Sequence, residues 1–281
     1  MWTFPGNPMP APGLYPGMAD AEYFAIGALS NSAMGHFVKS PAHFKYYLEA
    51  GTVETPAMLF GRLYHCAVLT PSEVEGRYMV ADETRQSTKI GKANAEEAKA
   101  HGLELISTDT MAEVEMMRDG VLRNAGAKML LDHPGTQTEV SCFWHEEVDG
   151  VQLPCKCKLD ILNRSILNGM AADLKSTGDA SPQSFPKSIA NFGYHRQAAW
   201  YSRGPKRAAG IDINAFAFIC QEKEPPYLTG LYTIAGGAQH QALMQIKDIL
   251  KSLVWCMKSD SWGGYPEEFI ELDLPKWAQG A

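Results

Sequence analysis

The segment VQLPCKCKLDILNRSILNGMAADLKST, residues 151–177, carries the strongest structural signals in this 281-residue chain. It follows Asp149-Gly150, and an Asp-Gly pair between two alternating segments is the strongest short signal for a β-hairpin. The sequence therefore predicts strands over residues 139–148 and 151–162, joined by that turn. A third strand is predicted over residues 170–176, after a second glycine-containing turn.

The second predicted strand has one apolar and one polar face, because side chains alternate at a period of two. Its polar face ends at Asp160, close to where the chain turns. In the third strand, Asp173 and Lys175 share one face, side by side. The apolar face of the second strand is predicted to carry Val151, Leu153, Cys155, Cys157, Leu159 and Ile161.

Two carboxylates and a lysine at adjacent strand positions suit metal-dependent phosphodiester hydrolysis. Carboxylates a few ångströms apart can hold a divalent cation, which polarises a phosphoryl oxygen and lowers the pKa of a bound water. A neighbouring lysine can orient that water or neutralise the growing charge. A buried Asp–Lys ion pair with a structural role is the equal alternative on the strand pattern alone.

The remaining segments place this hairpin within a larger α/β domain. Residues 26–51 read as helical, with Ser30 or Asn31 as a cap and Pro41 opening a second short helix. Further helices are predicted over residues 56–69, 109–129, 182–203 and 238–257, and strands over 215–221 and 228–234. This order predicts a mixed central β-sheet flanked by helices.

Composition limits the class of protein. Hydrophobic content of 45% and charged content of 20% are ordinary for a globular domain, and no apolar run approaches the ~20 residues of a membrane span. Residues 1–20 read as a flexible arm without signal-peptide order, and 21–281 as a single domain with a helical part (21–130) and a core (131–281). The net charge of −7 argues against coating nucleic acid by bulk attraction.

The six cysteines lie mostly inside apolar stretches, so buried free thiols are favoured over disulfides or a metal cluster. A reducing, cytoplasmic location is expected.

Several motifs, taken in order, resemble a known superfamily. GRLYH (61–65), Glu139, KLDIL (158–162), DLKST (173–177) and Gln197 with Tyr201 resemble the PD-(D/E)XK nucleases, whose core is restriction-endonuclease-like. More narrowly they resemble the RecE-like and lambda-type exonucleases of phage recombination. The opening LSNSAMGHFVKSPAHFKYY (29–47) and the closing WGGYPEEFIELDLPKWA (262–278) resemble the ends of the exodeoxyribonuclease VIII domain in that group.

The resemblance implies a metal site for Mg²⁺, with Mn²⁺ able to substitute. Asp160 and Asp173 would be metal ligands, joined by the backbone carbonyl of Leu174. Lys175 would be the catalytic lysine.

Other motif positions have implied roles, each beside a structural alternative. His65 would reach the metal or the scissile phosphate, whereas a lone helical histidine is usually a satisfied core residue. Gly61, one turn earlier, would let this helix pack close to the sheet. Glu139 would lie beside the metal or hold a metal-bound water, its alternative being an ordinary strand carboxylate. Gln197 and Tyr201 share a helix face and would lie over the DNA end.

Basic side chains near these motifs are candidates for contact with DNA phosphates, although surface charge is usually only solvated. They are Arg62, Arg85, Lys89, Lys92 and Arg196.

The expectation from the resemblance is an exonuclease that degrades one strand of linear double-stranded DNA from its end, 5′ to 3′, for single-strand-annealing recombination. A homo-oligomeric ring, trimer or tetramer, and a RecT-like single-strand annealing protein as partner are implied. An endonuclease or helicase-associated nuclease of the same superfamily is one alternative. A nuclease-derived DNA-binding protein without turnover is another.

Overall fold

A computed structural model describes residues 2–51 and 53–274 of the chain. These residues contain eight strands and eleven α-helices. The strands are β1 (Gly13–Tyr15), β2 (Tyr78–Ala81), β3 (Glu104–Ser107), β4 (Thr136–Val148), β5 (Val151–Asn163), β6 (Met170–Thr177), β7 (Ala215–Glu222) and β8 (Thr229–Thr233). The helices are α1 (Asp20–Ala25), α2 (Asn31–Lys39), α3 (Pro41–Ala50), α4 (Pro56–Leu69), α5 (Val74–Arg77), α6 (Lys89–Ala100), α7 (Thr108–Arg123), α8 (Ala125–Asp132), α9 (Phe185–Phe192), α10 (Tyr194–Ala209) and α11 (Gly236–Ser259).

Six strands form a mixed central sheet in the order β1-β4-β5-β6-β7-β8. Strands β6 and β7 run parallel, and the other neighbours in this sheet run antiparallel. A separate parallel pair, β2 and β3, lies outside it. The predicted mixed sheet flanked by helices is therefore confirmed.

Both faces of the central sheet are covered, so its strands are apolar on both sides. On one face, side chains of α2, α10 and α11 such as Met34, Trp200 and Leu253 pack into a large core. On the other face, α4 and α7 contribute Leu63 and Val114 to a second core. The sheet is thus the middle layer of three, and polar side chains on β5 and β6 lie deep within the molecule.

Local sequence signals set the hairpin and α4. Asp149 and Gly150 have φ values of 49° and 76°, as the tight mirror-image turn between right-twisted strands requires. Helix α4 begins at Pro56, and the Thr55 side chain accepts a hydrogen bond from the Met58 N–H. Both elements match their predicted bounds closely because the determining residues are adjacent in the chain.

Two predicted helices are divided in the structure. The predicted helix over 109–129 ends at Arg123, because the Asn124 side chain accepts hydrogen bonds from the first N–H groups of α8. The predicted helix over 182–203 is split at Gly193, whose φ of 67° interrupts helical geometry. The short strands β1, β2 and β3 were not predicted, since three or four residues carry little periodicity of their own.

The N-terminal segment, expected as a flexible arm over 1–20, packs against the domain from residue 2 onward. Strand β1 pairs with β4 at the sheet edge. The Trp2 ring lies 6.0 Å from the Phe44 ring and 5.0 Å from the Trp262 ring, measured between centroids. Apolar contacts of this kind offset the entropy of ordering the segment.

The six cysteines are buried free thiols, as predicted. Across residues 2–51 and 53–274, no helix has the length and apolar character that crossing a membrane requires. Met1 and residues 275–281 lie outside the described residues. They include the first residue of the predicted arm, the end of the predicted domain and positions 275–278 of the closing motif.

Candidate active site

A cavity of about 580 Å³ opens where α2, α4 and α10 meet the ends of β5 and β6. Most of its lining side chains are polar or charged. The lining residues are Asn31, Ser32, Gly35, His36, Lys39, His65, Asp160, Asp173, Lys175, Phe192, Tyr194, Arg196, Gln197 and Tyr201. Asp160 and Asp173, which the sequence places on adjacent strands, therefore face one common space.

Three side chains from three elements form a candidate metal-binding cluster. His65 on α4, Glu139 on β4 and Asp160 on β5 each offer a ligand atom, and these atoms lie within 4.8 Å of one another. His65 Nδ1 is 3.5 Å from Asp160 Oδ2. Two carboxylates and an imidazole at this spacing can coordinate one divalent cation.

Asp173 lies at the centre of a second group. Lys175 Nζ is 2.6 Å from Asp173 Oδ2, and Gln197 Nε2 donates to Asp173 Oδ1 at 2.5 Å. The Lys175 ammonium also lies over the Tyr194 ring, 4.7 Å from its centroid. The predicted side-by-side position of Asp173 and Lys175 is confirmed, and Gln197 with Tyr201 reaches the pocket from α10.

The two groups are joined through the backbone of β6. The Leu174 N–H donates a 2.8 Å hydrogen bond to Asp160 Oδ2. The motif resemblance implies a ligand role for the Leu174 carbonyl, whereas the contact with Asp160 is made by the Leu174 amide nitrogen. Leu174 thus orients Asp160 directly.

Burial sets the protonation of this site. Burial raises the pKa of Asp160 well above its usual range, and the neighbouring Asp173 and Glu139 raise it further. The pKa of His65 is lowered, chiefly by burial. Burial alone would lower the pKa of Lys175, but Asp173 and Asp160 outweigh it and the net shift is upward. The crowding of carboxylates thus favours proton uptake by Asp160, and a divalent cation would stabilise its ionised form instead.

Glu139 is held by an ion-pair network that the sequence did not predict. Lys158 Nζ lies 2.5 Å from Glu139 Oε2 and also contacts Asp20 from α1. Glu139 has a φ of 55°, unusual for a strand residue. Lys158 therefore balances two carboxylates next to the candidate cation position.

The left-handed φ of Glu139 on β4 coincides with a break in the side-chain alternation of the neighbouring strand β5. Leu159 belongs to the core on the α10 side, whereas Ile161 belongs to the core on the α4 side. The prediction that both share one face is therefore wrong at Ile161. The pleat is disrupted where Glu139 stands opposite Asp160, a backbone conformation that side-chain periodicity cannot reveal.

Two predicted DNA-contacting arginines have acidic partners in the protein. Arg62 pairs with Glu54 and, at 2.6 Å, with Glu104. Arg85 Nη2 lies 2.6 Å from Glu83 Oε2, and its Nε donates to the same carboxylate. Both guanidinium charges are compensated within the protein.

The other predicted contacts differ in position. Lys89 and Lys92 are exposed on α6. Arg196 lines the pocket from the first turn of α10 and is 5% exposed. Of the five candidate cations, Arg196 is the one that shares the space of the carboxylates.

Helix α2 supplies a pocket wall to which the sequence assigns no role. Asn31, Ser32, His36 and Lys39 all line the cavity. The signal was present in the opening motif 29–47, but the docking of this helix against α10 depends on tertiary contacts.

The expectation for Gly61 is wrong. Among the described residues, a Cβ at Gly61 would meet no heavy atom within 4 Å, so close packing of α4 does not require this glycine. His65 reaches the site because of the position of the whole helix.

Comparisons with known proteins place this geometry in context. A family model described as "PDDEXK-like domain of unknown function (DUF3799)" matches residues 30–272. A crystal structure from Eubacterium rectale, described as a "putative exonuclease", is similar over 93% of this chain and 96% of that chain, with a TM-score of 0.56 and 12% sequence identity. That likeness shows a shared fold.

A second solved structure, SSO0001, covers 69% of this chain and 85% of its own, at 11% identity and a TM-score of 0.32, which carries no argument. None of the curated proteins matches the sequence.

Proposed function

Given that the chain belongs to the PDDEXK-like domain family DUF3799, we propose that it is a divalent-metal-dependent deoxyribonuclease that degrades one strand of linear double-stranded DNA from its end. The proposal rests on one observation. The cluster of His65, Glu139 and Asp160 lies beside the Asp173–Lys175 pair at one pocket. Metal ligands beside a fixed lysine are the equipment of phosphodiester hydrolysis.

The donor set fits Mg²⁺ or Mn²⁺. Carboxylate oxygens are the ligands both ions favour, and the imidazole nitrogen suits Mn²⁺ as well. Apart from its ion pair with Lys175, the buried Asp173 Oδ2 has no hydrogen-bond partner among the described residues. A bound cation would polarise the scissile phosphate and lower the pKa of a coordinated water.

The chain's own residues supply positioning and charge. Despite burial, Asp173 and Asp160 shift the pKa of Lys175 upward, and its ammonium beside Asp173 is placed to stabilise negative charge on the phosphate. Gln197 fixes the carboxylate that holds Lys175 in place. His65, with its pKa lowered chiefly by burial, is neutral and available as a ligand near pH 7.

The proposal extends to 5′-to-3′ polarity, a trimeric or tetrameric ring and a RecT-like annealing partner. These parts are supported by the ordered motif elements that resemble RecE-like and lambda-type exonucleases. The Eubacterium rectale protein that shares the fold is itself described as a "putative exonuclease".

A cleavage assay on matched substrates tests the proposal. Linear duplex labelled at its 5′ ends and a covalently closed circle of the same sequence are incubated with Mg²⁺, Mn²⁺ or EDTA. We expect metal-dependent loss of one strand from the linear duplex and an intact circle. Nicking of the circle would favour the endonuclease, and activity in EDTA would remove the metal. DNA binding without strand loss in either metal would favour a non-catalytic relative.

A further inference from the structure

Arg196 lines the same pocket as His65 and Asp160 of the metal-binding cluster. It belongs to the first turn of α10 and is 5% exposed. Its Nε donates a 3.0 Å hydrogen bond to Asn31 Oδ1, which ties the guanidinium to the start of α2. The side chain is therefore held in place by a neighbouring helix rather than by a carboxylate.

Two glycines make the space that the guanidinium occupies. A Cβ at Gly193 would lie 2.9 Å from Arg196 Nη2, and a Cβ at Gly35 would lie 3.3 Å from the same atom. Larger residues at these positions would displace the group. The pocket wall is thus shaped around the guanidinium.

The charge of Arg196 has no acidic partner within the part of the chain that is described. Its two terminal nitrogens donate to no carboxylate or other acceptor there, unlike those of Arg62 and Arg85. Burial lowers the pKa of Arg196, with no opposing carboxylate. A buried cation costs free energy unless an anion meets it.

The surroundings of Arg196 favour an anion. Helices α2 and α10 both begin at this wall, and no side chain caps the N-terminus of α10. The partial positive charge of such helix ends attracts anions. His36 and Lys39 line the same cavity. The pocket therefore holds basic groups in addition to the carboxylates of the metal cluster.

We infer that Arg196, together with Asn31 and the start of α10, forms a subsite for one DNA phosphate other than the phosphate that is cleaved. This inference rests on the proposed function, since it places the substrate strand in a pocket lined by both the metal cluster and Arg196. The planar guanidinium suits two parallel hydrogen bonds to phosphate oxygens. The bound group is either a terminal phosphate or an internal one.

A phosphate-neutralisation scan tests the subsite by binding alone. Short labelled duplexes, each with one methylphosphonate at a different position near the end, are titrated in Ca²⁺ by fluorescence anisotropy. For the wild type we expect one position to weaken binding by about tenfold or more. In Arg196→Met, the methylphosphonate at that position should weaken binding by less than about twofold, because its partner Arg196 is already absent. Duplexes with a 5′-phosphate or a 5′-hydroxyl separate a terminal from an internal phosphate.

Matched variants keep the test decisive. Lys206→Met removes an exposed cation of the same helix and should bind as the wild type does. Gly35→Ala keeps Arg196 but crowds its Nη2, so it should weaken the contact with the same single phosphate. This variant provides the test if Arg196→Met fails to fold. An unchanged scan in both Arg196→Met and Gly35→Ala, or equal weakening at every position, would overturn the subsite. A wild type without strand cleavage would overturn the proposed function instead, and the binding scan would still decide the subsite.

Discussion

Asp160 Oδ2 accepts a 2.8 Å hydrogen bond from the Leu174 backbone N–H, which fixes this carboxylate between the two central strands. The same oxygen lies 3.5 Å from His65 Nδ1. The carboxylate is thus held for ligation at the cost of burying a charge, and that cost has measurable consequences.

Replacing Asp160 with Asn should stabilise the metal-free protein while abolishing its stabilisation by metal. The amide oxygen can still accept from Leu174, and the buried charge is gone. Because the folded-state pKa is raised, ionisation penalises the native state as the pH rises above about 3.9. A gain of about 1 kcal/mol would raise Tm by about 2–4 °C in a chain of this size.

Thermal unfolding from pH 4 to pH 8, with and without Mn²⁺, measures this effect. The Tm advantage of Asp160→Asn should grow as the pH rises. Asp248→Asn, an exposed position on α11, serves as the control and should change neither property. A variant less stable than the wild type at pH 7 in the absence of metal would contradict the role given to burial.

Lys175→Met should abolish strand cleavage and leave DNA binding nearly intact. Its ammonium stands against Asp173 at 2.6 Å, where it can stabilise charge on the phosphate. The loss in rate should be at least ~10²-fold. Single-turnover cleavage and anisotropy measure the two properties. Lys251→Met, exposed on α11, should match the wild type, and an active Lys175→Met would remove the lysine from the chemistry.

Lys158→Met should tighten Mn²⁺ binding and destabilise the metal-free protein. Lys158 neutralises Glu139 and Asp20, so its ammonium competes with a cation for Glu139. Without it, a divalent ion meets a more negative site, while the metal-free chain loses the ion pair of Glu139 and keeps that of Asp20 with Arg77. Calorimetric titration should therefore show a higher affinity for Mn²⁺, and thermal unfolding should show a lower Tm of the metal-free protein. Weaker Mn²⁺ binding would show instead that Lys158 positions Glu139 for ligation.

The buried Lys156, which lies outside the pocket, should make the stability of the protein depend on pH. Burial lowers its pKa to about 8, and its ammonium donates to the carbonyls of Tyr23 and Ile26. The unfolded chain keeps this proton up to about pH 10.4, so it binds more protons than the folded chain between pH 8 and 10.4. This group's contribution to the free energy of unfolding should therefore rise with pH by on the order of 2–3 kcal/mol.

Urea unfolding of the wild type and Lys156→Met measures that contribution. The difference between their free energies of unfolding should be constant below pH 8. Above pH 8, the free energy of unfolding of the wild type should rise relative to that of Lys156→Met. Parallel profiles across this range would contradict the depressed pKa.

Elements set by adjacent residues were predictable from the sequence. The Asp149-Gly150 turn and the Thr55-Pro56 start of α4 depend on local backbone and capping preferences. Strand β1 was not predictable, because it is three residues long and exists through pairing with β4. Gly193 was read as part of one helix, since a single glycine does not by itself show a left-handed φ.

The candidate site was predictable in its strand residues and less so in its surroundings. Period-two alternation placed Asp173 beside Lys175, and the structure brings them together. The left-handed φ of Glu139 and the Lys158 network depend on tertiary contacts that no pattern encodes. The grouping of His65 with Glu139 and Asp160 came from motif resemblance rather than from spacing.

The proposed cation site consists of His65, Glu139 and Asp160, beside Lys175. Anomalous diffraction from crystals grown with Mn²⁺ and a short DNA duplex locates the cation. We expect a manganese peak within coordination distance of all three side chains, and its loss in Glu139→Gln crystals. A peak elsewhere, or none at the cluster while the crystals retain DNA in the pocket, would contradict it.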